Sequence, residues 1–212
     1  MENVLKDISP VIQLLIVMAS FSLLPFMFCC MTSFLRFVIV FSLLKSAMGV
    51  QVPPALATVG LCLILTFYTM GGVFQQMYEM GSVPYKQNQN MIMAINEGSK
   101  PLKEFMMKQT RHSDLAFFIE LKQKKQPQHP DEVSIWEVAP AYIISELKTA
   151  FEIGFIIYIP FIVLDLVVAN ILLALGMMML SPTIISLPFK LLIFIAVDGW
   201  ALIAQGLVQS YN

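Results

Sequence analysis

Apolar runs long enough to cross a bilayer lie at both ends of the chain, with a polar stretch between them. From Pro10 to Met31 the positions are nearly all apolar, with Pro25 as the expected kink, and about 20 such residues at 1.5 Å each suffice to cross the hydrocarbon. Thr32 and Ser33 then offer an N-cap to a second piece, 34 to 48, which stops at Gly49 and turns through Gln51-Val52-Pro53-Pro54 as a hairpin tip. Residues 55 to 78 form another apolar helix, punctuated by Gly60 and Gly71-Gly72. From 79 to 152 the pattern changes to charges, amides and short apolar groupings. Ser99 and Pro101 mark a helix start there. Leu102, Phe105 and Met106 follow at i, i+3, i+4 spacing, and Phe117, Phe118 and Leu121 resume after an interruption at Ser113-Asp114. Lys122, Lys124 and Lys125 close that helix before a loop with Pro127 and Pro130, a basic run that reads as dipole complementation rather than an acidic-partner site. Residues 153 to 180 are apolar apart from Pro160, Asp165 and Asn170, and 184 to 208 make a fourth apolar helix containing Pro188, Lys190 and Asp198.

This pattern predicts an all-α, membrane-associated protein. Two apolar hairpins, 1–78 and 153–212, supply four hydrophobic segments and flank a polar, largely helical middle region, 79–152. Both termini and the middle region then share one side. Arg36 and Lys45 at the first tip point that tip to the cytoplasm, because short loops rich in Lys and Arg stay inside.

Composition agrees. The 212 residues are 58% hydrophobic and 13% charged, against about 25% charged for a soluble domain, and mean hydropathy is +0.75. A net charge of −1 leaves no basic stripe to displace counterions from phosphates, which excludes nucleic-acid binding. Cys29, Cys30 and Cys62 form neither a disulfide framework nor a C-x-x-C pair and read as small apolar side chains. Lys6 before an apolar run resembles a secretory signal. Glu2 and Asp7 spoil its basic character and the run extends past Met31, so an uncleaved first helix is expected.

Catalytic chemistry has little to work with. His112 and His129 are the only histidines, both in the polar region, and no H-E-x-x-H, Gly-x-Ser-x-Gly or phosphate-binding loop occurs, so no enzyme is expected. Charges within apolar segments are costly and therefore functional candidates. Turning 153–208 about Pro182 puts Asp165 level with residue 199, facing Asp198, and puts Lys190 nine residues, about 13 Å, from Asp165. That exceeds the reach of a lysine stem, so a pairing of Asp165 with Lys190 is expected between staggered copies of the chain. The alternatives are that Lys190 snorkels and that the acids are protonated or wet. Met177-Met178-Met179, between Gly176 and Ser181-Pro182, reads in three ways: flexible apolar filler, a thioether copper site disfavoured by helical geometry, or a soft constriction contributed by several subunits.

Three blocks carry a family resemblance. They are Thr32-Ser33-Phe34-Leu35-Arg36 with Lys45, Gly49, Gln51 and Pro53-Pro54; Pro140-Ala141-Tyr142-Ile143-Ile144-Ser145-Glu146-Leu147-Lys148 with Phe151 and Gly154; and Pro160-Phe161, Asp165-Leu166, Gly176-Met177-Met178-Met179-Leu180, Pro188-Phe189-Lys190 and Val197-Asp198-Gly199-Trp200. On these the chain resembles the FliP/SctR (YscR) family of type III secretion export-gate proteins. The resemblance implies a ring of five copies joined by FliQ/SctS-type and FliR/SctT-type proteins, and by other export-apparatus components, in the bacterial inner membrane. Unfolded polypeptides would be exported through it. It implies a gasket role for Met177, Met178 and Met179, an inter-subunit charge pair of Asp165 and Lys190, no cofactor, and an assembled gate lifted toward the periplasm. A chain starting almost at its first helix resembles the virulence, or injectisome, members. The competing expectation is a secondary transporter or ion channel using Asp165 and Asp198 as intramembrane carboxylates, a reading that needs an internal symmetry the two hairpins do not display.

Overall fold

The computed structural model describes residues 10–88, 91–121, 133–177 and 179–211, and these residues are mostly helical, with no strand among them. Helix α1 (Pro10–Met31) carries Pro25 inside it and leads into α2 (Phe34–Met48); the two are bent by 71°. The expected cap at this junction is only half realised. Thr32 Oγ1 accepts the Phe34 N–H at 3.3 Å, whereas Ser33 Oγ hydrogen-bonds with Thr69 Oγ1 at 2.8 Å instead of capping. Gly49 ends α2 in the left-handed region at φ 70°, where a side chain would be strained. Lys45 secures the tip beyond it by donating to Pro53 O at 2.7 Å.

Helix α3 (Ala55–Asn88) runs through the change of composition at 78/79, because nothing in Tyr78-Glu79-Met80 breaks a helix. α4 (Met91–Gly98) folds back on it. The return is close: a Cβ on Gly98 would lie 3.2 Å from Met77 O and 3.4 Å from Gly81 Cα. α5 (Lys100–Gln109) begins at the expected place with Pro101 in its first turn. The expected interruption at Ser113-Asp114 falls instead at Thr110-Arg111, and Ser113 and Asp114 open α6 (His112–Leu121), as short polar residues do in a first turn. Lys122, Lys124, Lys125, Pro127, His129 and Pro130 lie outside the described residues.

The longest element is α7 (Ile135–Ala174), 40 residues. Its start is a capping box, with Trp136 N–H donating to Ser134 Oγ and Ser134 N–H donating to Glu137 Oε2 at 2.9 Å. It passes without a break through 152/153, where composition alone divides middle region from C-terminal hairpin. α8 (Pro182–Ala196) and α9 (Gly199–Gln209) complete the chain. Together they form not one straight segment but a pair bent by 61°.

Helix α2 is the centre of the packing. Phe37, Val40, Phe41 and Leu44 are fully buried against Cys62 of α3, Ala150 and Phe161 of α7, Phe194 of α8, and Leu207 and Tyr211 at the end of α9. Gly154 lets α7 lie on α2, since a Cβ there would come 2.3 Å from Leu43 Cδ1. A smaller cluster of Met106, Ile119, Val138 and Tyr142 joins the middle region to the start of α7. Much of the exterior is apolar: Phe151, Phe155, Ile156 and Leu166 of α7 are exposed, which suits lipid or a protein partner rather than water. α3 and α7 are each long and apolar enough to cross a membrane, and the two bent pairs raise the number of candidate spans to four.

Candidate functional site: the methionine loop and its supporting ion pairs

Helix α7 stops where Gly176 adopts φ 72°, and Pro182 in the first turn of α8 fixes the restart. Between them lies a short apolar loop. Met177 is half exposed and Met179 fully exposed, at 100%; Met178 lies outside the described residues. Unbranched thioethers presented at a hairpin tip can adapt their shape to whatever they touch.

Behind this loop Lys190 and Asp165 meet inside one chain. Lys190 Nζ stands 2.7 Å from Asp165 Oδ2 and also donates to Ala47 O at 3.0 Å, while Ser186 Oγ donates to the other carboxylate oxygen. Lys190 is buried, at 3% exposure. This corrects the expectation that about 13 Å separates the two within one chain. The reversal is centred on the loop after Ala174, not on Pro182. Asp165 therefore lies nine residues before the end of α7 (174 − 165) and Lys190 eight after the start of α8 (190 − 182), which makes them level. One ammonium thus ties together α7, α8 and the C-terminal end of α2, where unsatisfied carbonyls favour a cation.

Asp198, expected as a buried charge, stands at the surface of the single chain. It is exposed, in the left-handed conformation at φ 52°, ψ 50°, which Asp tolerates better than most residues. It forms the elbow between α8 and α9. Gly199 beside it is required by close approach, because a Cβ there would sit 2.2 Å from Phe194 Cε2.

The strongest buried polar cluster is one that residue spacing does not reveal. Arg36 Nε donates to Glu146 Oε2 at 2.8 Å and Arg36 Nη2 to Oε1, a bidentate pair between α2 and α7. Arg36 is 3% exposed and Glu146 0%. Arg36 Nη1 reaches Ser210 Oγ at 2.8 Å, its guanidinium lies 3.8 Å from the centre of the Tyr211 ring, and Tyr211 OH donates to Glu146 Oε2 at 2.6 Å. The available signal was Arg36 itself, a cation deep in an apolar run with no acid in its own segment. In the middle region Asp114 performs a similar service for α6 and α7. It accepts from Lys148 Nζ and from Ser145 Oγ at 2.8 Å. The Lys148 ammonium, aided by Ser145, holds its carboxyl below the usual carboxylate range against the opposing effect of burial. Among the described residues no three of His, Cys, Asp and Glu converge as metal ligands.

Residues 17–207 match the FliP family. The chain belongs to that family. It is 46% identical over 202 residues to the flagellar biosynthetic protein FliP of Pectobacterium carotovorum subsp. carotovorum, covering 94% of this chain and 78% of the relative. It is 43% identical over 209 residues to the Yop proteins translocation protein R of Yersinia pestis, covering 95% and 96%. It spans about half, 54%, of the FliP of Buchnera aphidicola subsp. Acyrthosiphon pisum (strain APS), with 46% identity over 203 residues. FliP-family membership and the candidate spans mark it as an inner-membrane component of the type III export apparatus, not an enzyme.

Proposed function

We propose that this chain is a structural pore subunit of a type III secretion export gate. Unfolded protein substrates pass the bacterial inner membrane through it, and the loop of Met177, Met178 and Met179 is its deformable seal. The observation that carries this reading is the placement of Met177 and Met179, exposed at the tip of the α7–α8 hairpin, with the hairpin braced about two turns behind them by Lys190. An apolar tip on a rigid arm is wasted on a lone chain. Repeated around a ring it closes a hole with soft side chains that yield to a passing polypeptide. The exposed apolar faces of α7 supply surface for neighbouring copies, five in the proposed ring, and for FliQ/SctS-type and FliR/SctT-type partners.

No bond chemistry is required of the subunit, and the energy comes from elsewhere in the apparatus. A proton-coupled transporter gains no support within the chain, since Asp165 is engaged by Lys190 and Ser186 while Asp198 stands exposed at the elbow. Relatives of both branches match, the flagellar FliP of Pectobacterium at 46% identity and the Yop translocation protein at 43%, and we propose the injectisome branch; complementation of flagellar and injectisome deletion strains tests that assignment, and rescue of motility alone would reverse it. The gate as a whole then stands raised toward the periplasm, which accessibility labelling of α7 in intact cells would measure.

The seal is tested by replacing Met177, Met178 and Met179 together with Ala. Assembly with the partner proteins, read by native mass spectrometry, should persist while the closed gate leaks small ions. Unchanged membrane conductance in cells making an assembled variant would remove the seal from the reading.

A further inference from the structure

We propose that the cavity between the α2–α3 tip and the α8–α9 elbow binds one anionic phospholipid, with an acyl chain inside the cavity and the phosphate on Lys45 and Gln51. The cavity measures about 790 Å³, within the range of about 300–1,000 Å³ usual for small-molecule sites. Val52 and Pro53 of the tip, Leu61 of α3, Leu191 and Ile195 of α8 and Trp200 of α9 are in its wall. Apart from the Trp200 indole, the polar side chains of that wall are Gln51 and Thr58, and Thr58 Oγ1 already donates to Pro54 O at 3.4 Å. The interior therefore suits hydrocarbon and suits water poorly, since a held water needs two or more polar partners. Val52 and Ile195 are exposed, as are Leu56 and Leu192 beside the wall, so the cavity opens through an apolar rim.

The charged end of the ligand is read from the tip. Lys45 Nζ stands 2.7 Å from Pro53 O, which sets the ammonium against the cavity wall, and no carboxylate pairs with it among the described residues. An ammonium carries three donors, so this one has two left for an anion. Gln51 is exposed and in the wall, and its amide has no partner among the described residues. An unpaired cation and a free amide beside an apolar cavity are the two halves of a site for an amphiphile: the first attracts a phosphate and the second takes methylenes out of water. The exposed acid Asp198, two residues from Trp200, disfavours an anion on the elbow side, which leaves the phosphate at the tip. A protein occupant would have to bring an anion and an aliphatic side chain to the same spot. A phospholipid carries both in one molecule, and a bilayer presents it to α3 and to the α8–α9 pair, both candidate spans.

Trp200 reports whether the cavity is filled. The chain has two tryptophans, and Trp136→Phe, at an exposed position, leaves Trp200 as the only one. The full chain in detergent is titrated with phosphatidylglycerol and with phosphatidylcholine that carry the same dibrominated acyl chains, which quench an indole on contact. Phosphatidylglycerol should quench at about fivefold lower content, the preference that one cation beside a phosphate confers. Lys45→Ala should remove that preference while quenching by phosphatidylcholine persists, and Lys45→Arg should retain it, because a guanidinium also holds phosphate. Ala57→Phe puts a ring into the cavity from an exposed position of α3 and should cut quenching by both lipids severalfold. Equal quenching by the two lipids when Trp136→Phe is the only change, undiminished quenching after Ala57→Phe, or loss of the preference in Lys45→Arg would overturn the proposal. Protection of Trp200 that grows with protein concentration would overturn it too, and would give the cavity to a second copy of the chain.

Discussion

Exchanging the charges of Asp165 and Lys190 separates a pair closed within one chain from a pair shared between copies. Asp165→Lys sets a second cation against Lys190, which is 3% exposed. Removing one partner of a fully buried pair costs about 3–5 kcal/mol, and because the Asp165 side chain is one-third exposed, 34%, the lower end of that range applies, about 3 kcal/mol. Lys190→Asp costs at least as much, since it also takes the donor from Ala47 O and leaves a carboxylate facing a carbonyl. Joining both changes in one chain restores the attraction but not the Ala47 bond, so recovery should be partial, with about 1–3 kcal/mol still missing. The decisive arm is the mixture. Asp165→Lys and Lys190→Asp chains, separately tagged and produced in the same cells, should not rescue each other, because each chain still carries an unmatched pair of its own. Thermal unfolding of the detergent-extracted protein and native mass spectrometry of its complexes provide the readout. Rescue in the mixture to the level of the doubly exchanged chain would refute the intrachain pair and return Asp165 and Lys190 to the interface between copies.

Arg36→Ala strands Glu146 without its counter-ion at 0% exposure and should destabilise the chain by about 3–5 kcal/mol in the same unfolding assay. Arg36→Lys should retain most of that loss, because an ammonium cannot reproduce the bidentate fork together with the Ser210 bond. Gly154→Ala drives a methyl to 2.3 Å from Leu43 Cδ1 and should cost about 1–3 kcal/mol, with part recovered when Leu43→Ala is added. Asp114 supplies a pH dependence. Its carboxyl is held below the ordinary range by Lys148, so the unfolded chain takes up the proton first. Its stabilising effect should be complete above about pH 4 and fade as pH falls through the lower folded value. Asp114→Asn should flatten that part of a plot of unfolding temperature against pH, and an unchanged slope would show that another group is responsible.

The apolar segments were legible because hydrocarbon imposes length and composition on whatever crosses it, and Gly49 marks the end of the second by backbone geometry alone. A change of composition is not a change of structure. Glu146, Lys148 and Glu152 fall in the polar middle region, yet they sit on the same unbroken helix as Asp165. Glu146 is polar because Arg36 of a distant helix needs it there, and Lys148 because Asp114 does. The same holds for Lys190 and Asp165: the restart proline is not the axis of the hairpin, because left-handed Gly176 has already ended the first arm. Four residues of misplaced axis became eight of misplaced register, since a shift of the turn counts once on each arm. Periodicity and breakers thus locate helices to within a few residues. Pairing between helices depends on the sum of two such positions, so it is the loop's true centre, and not the helices themselves, that decides which buried charges meet.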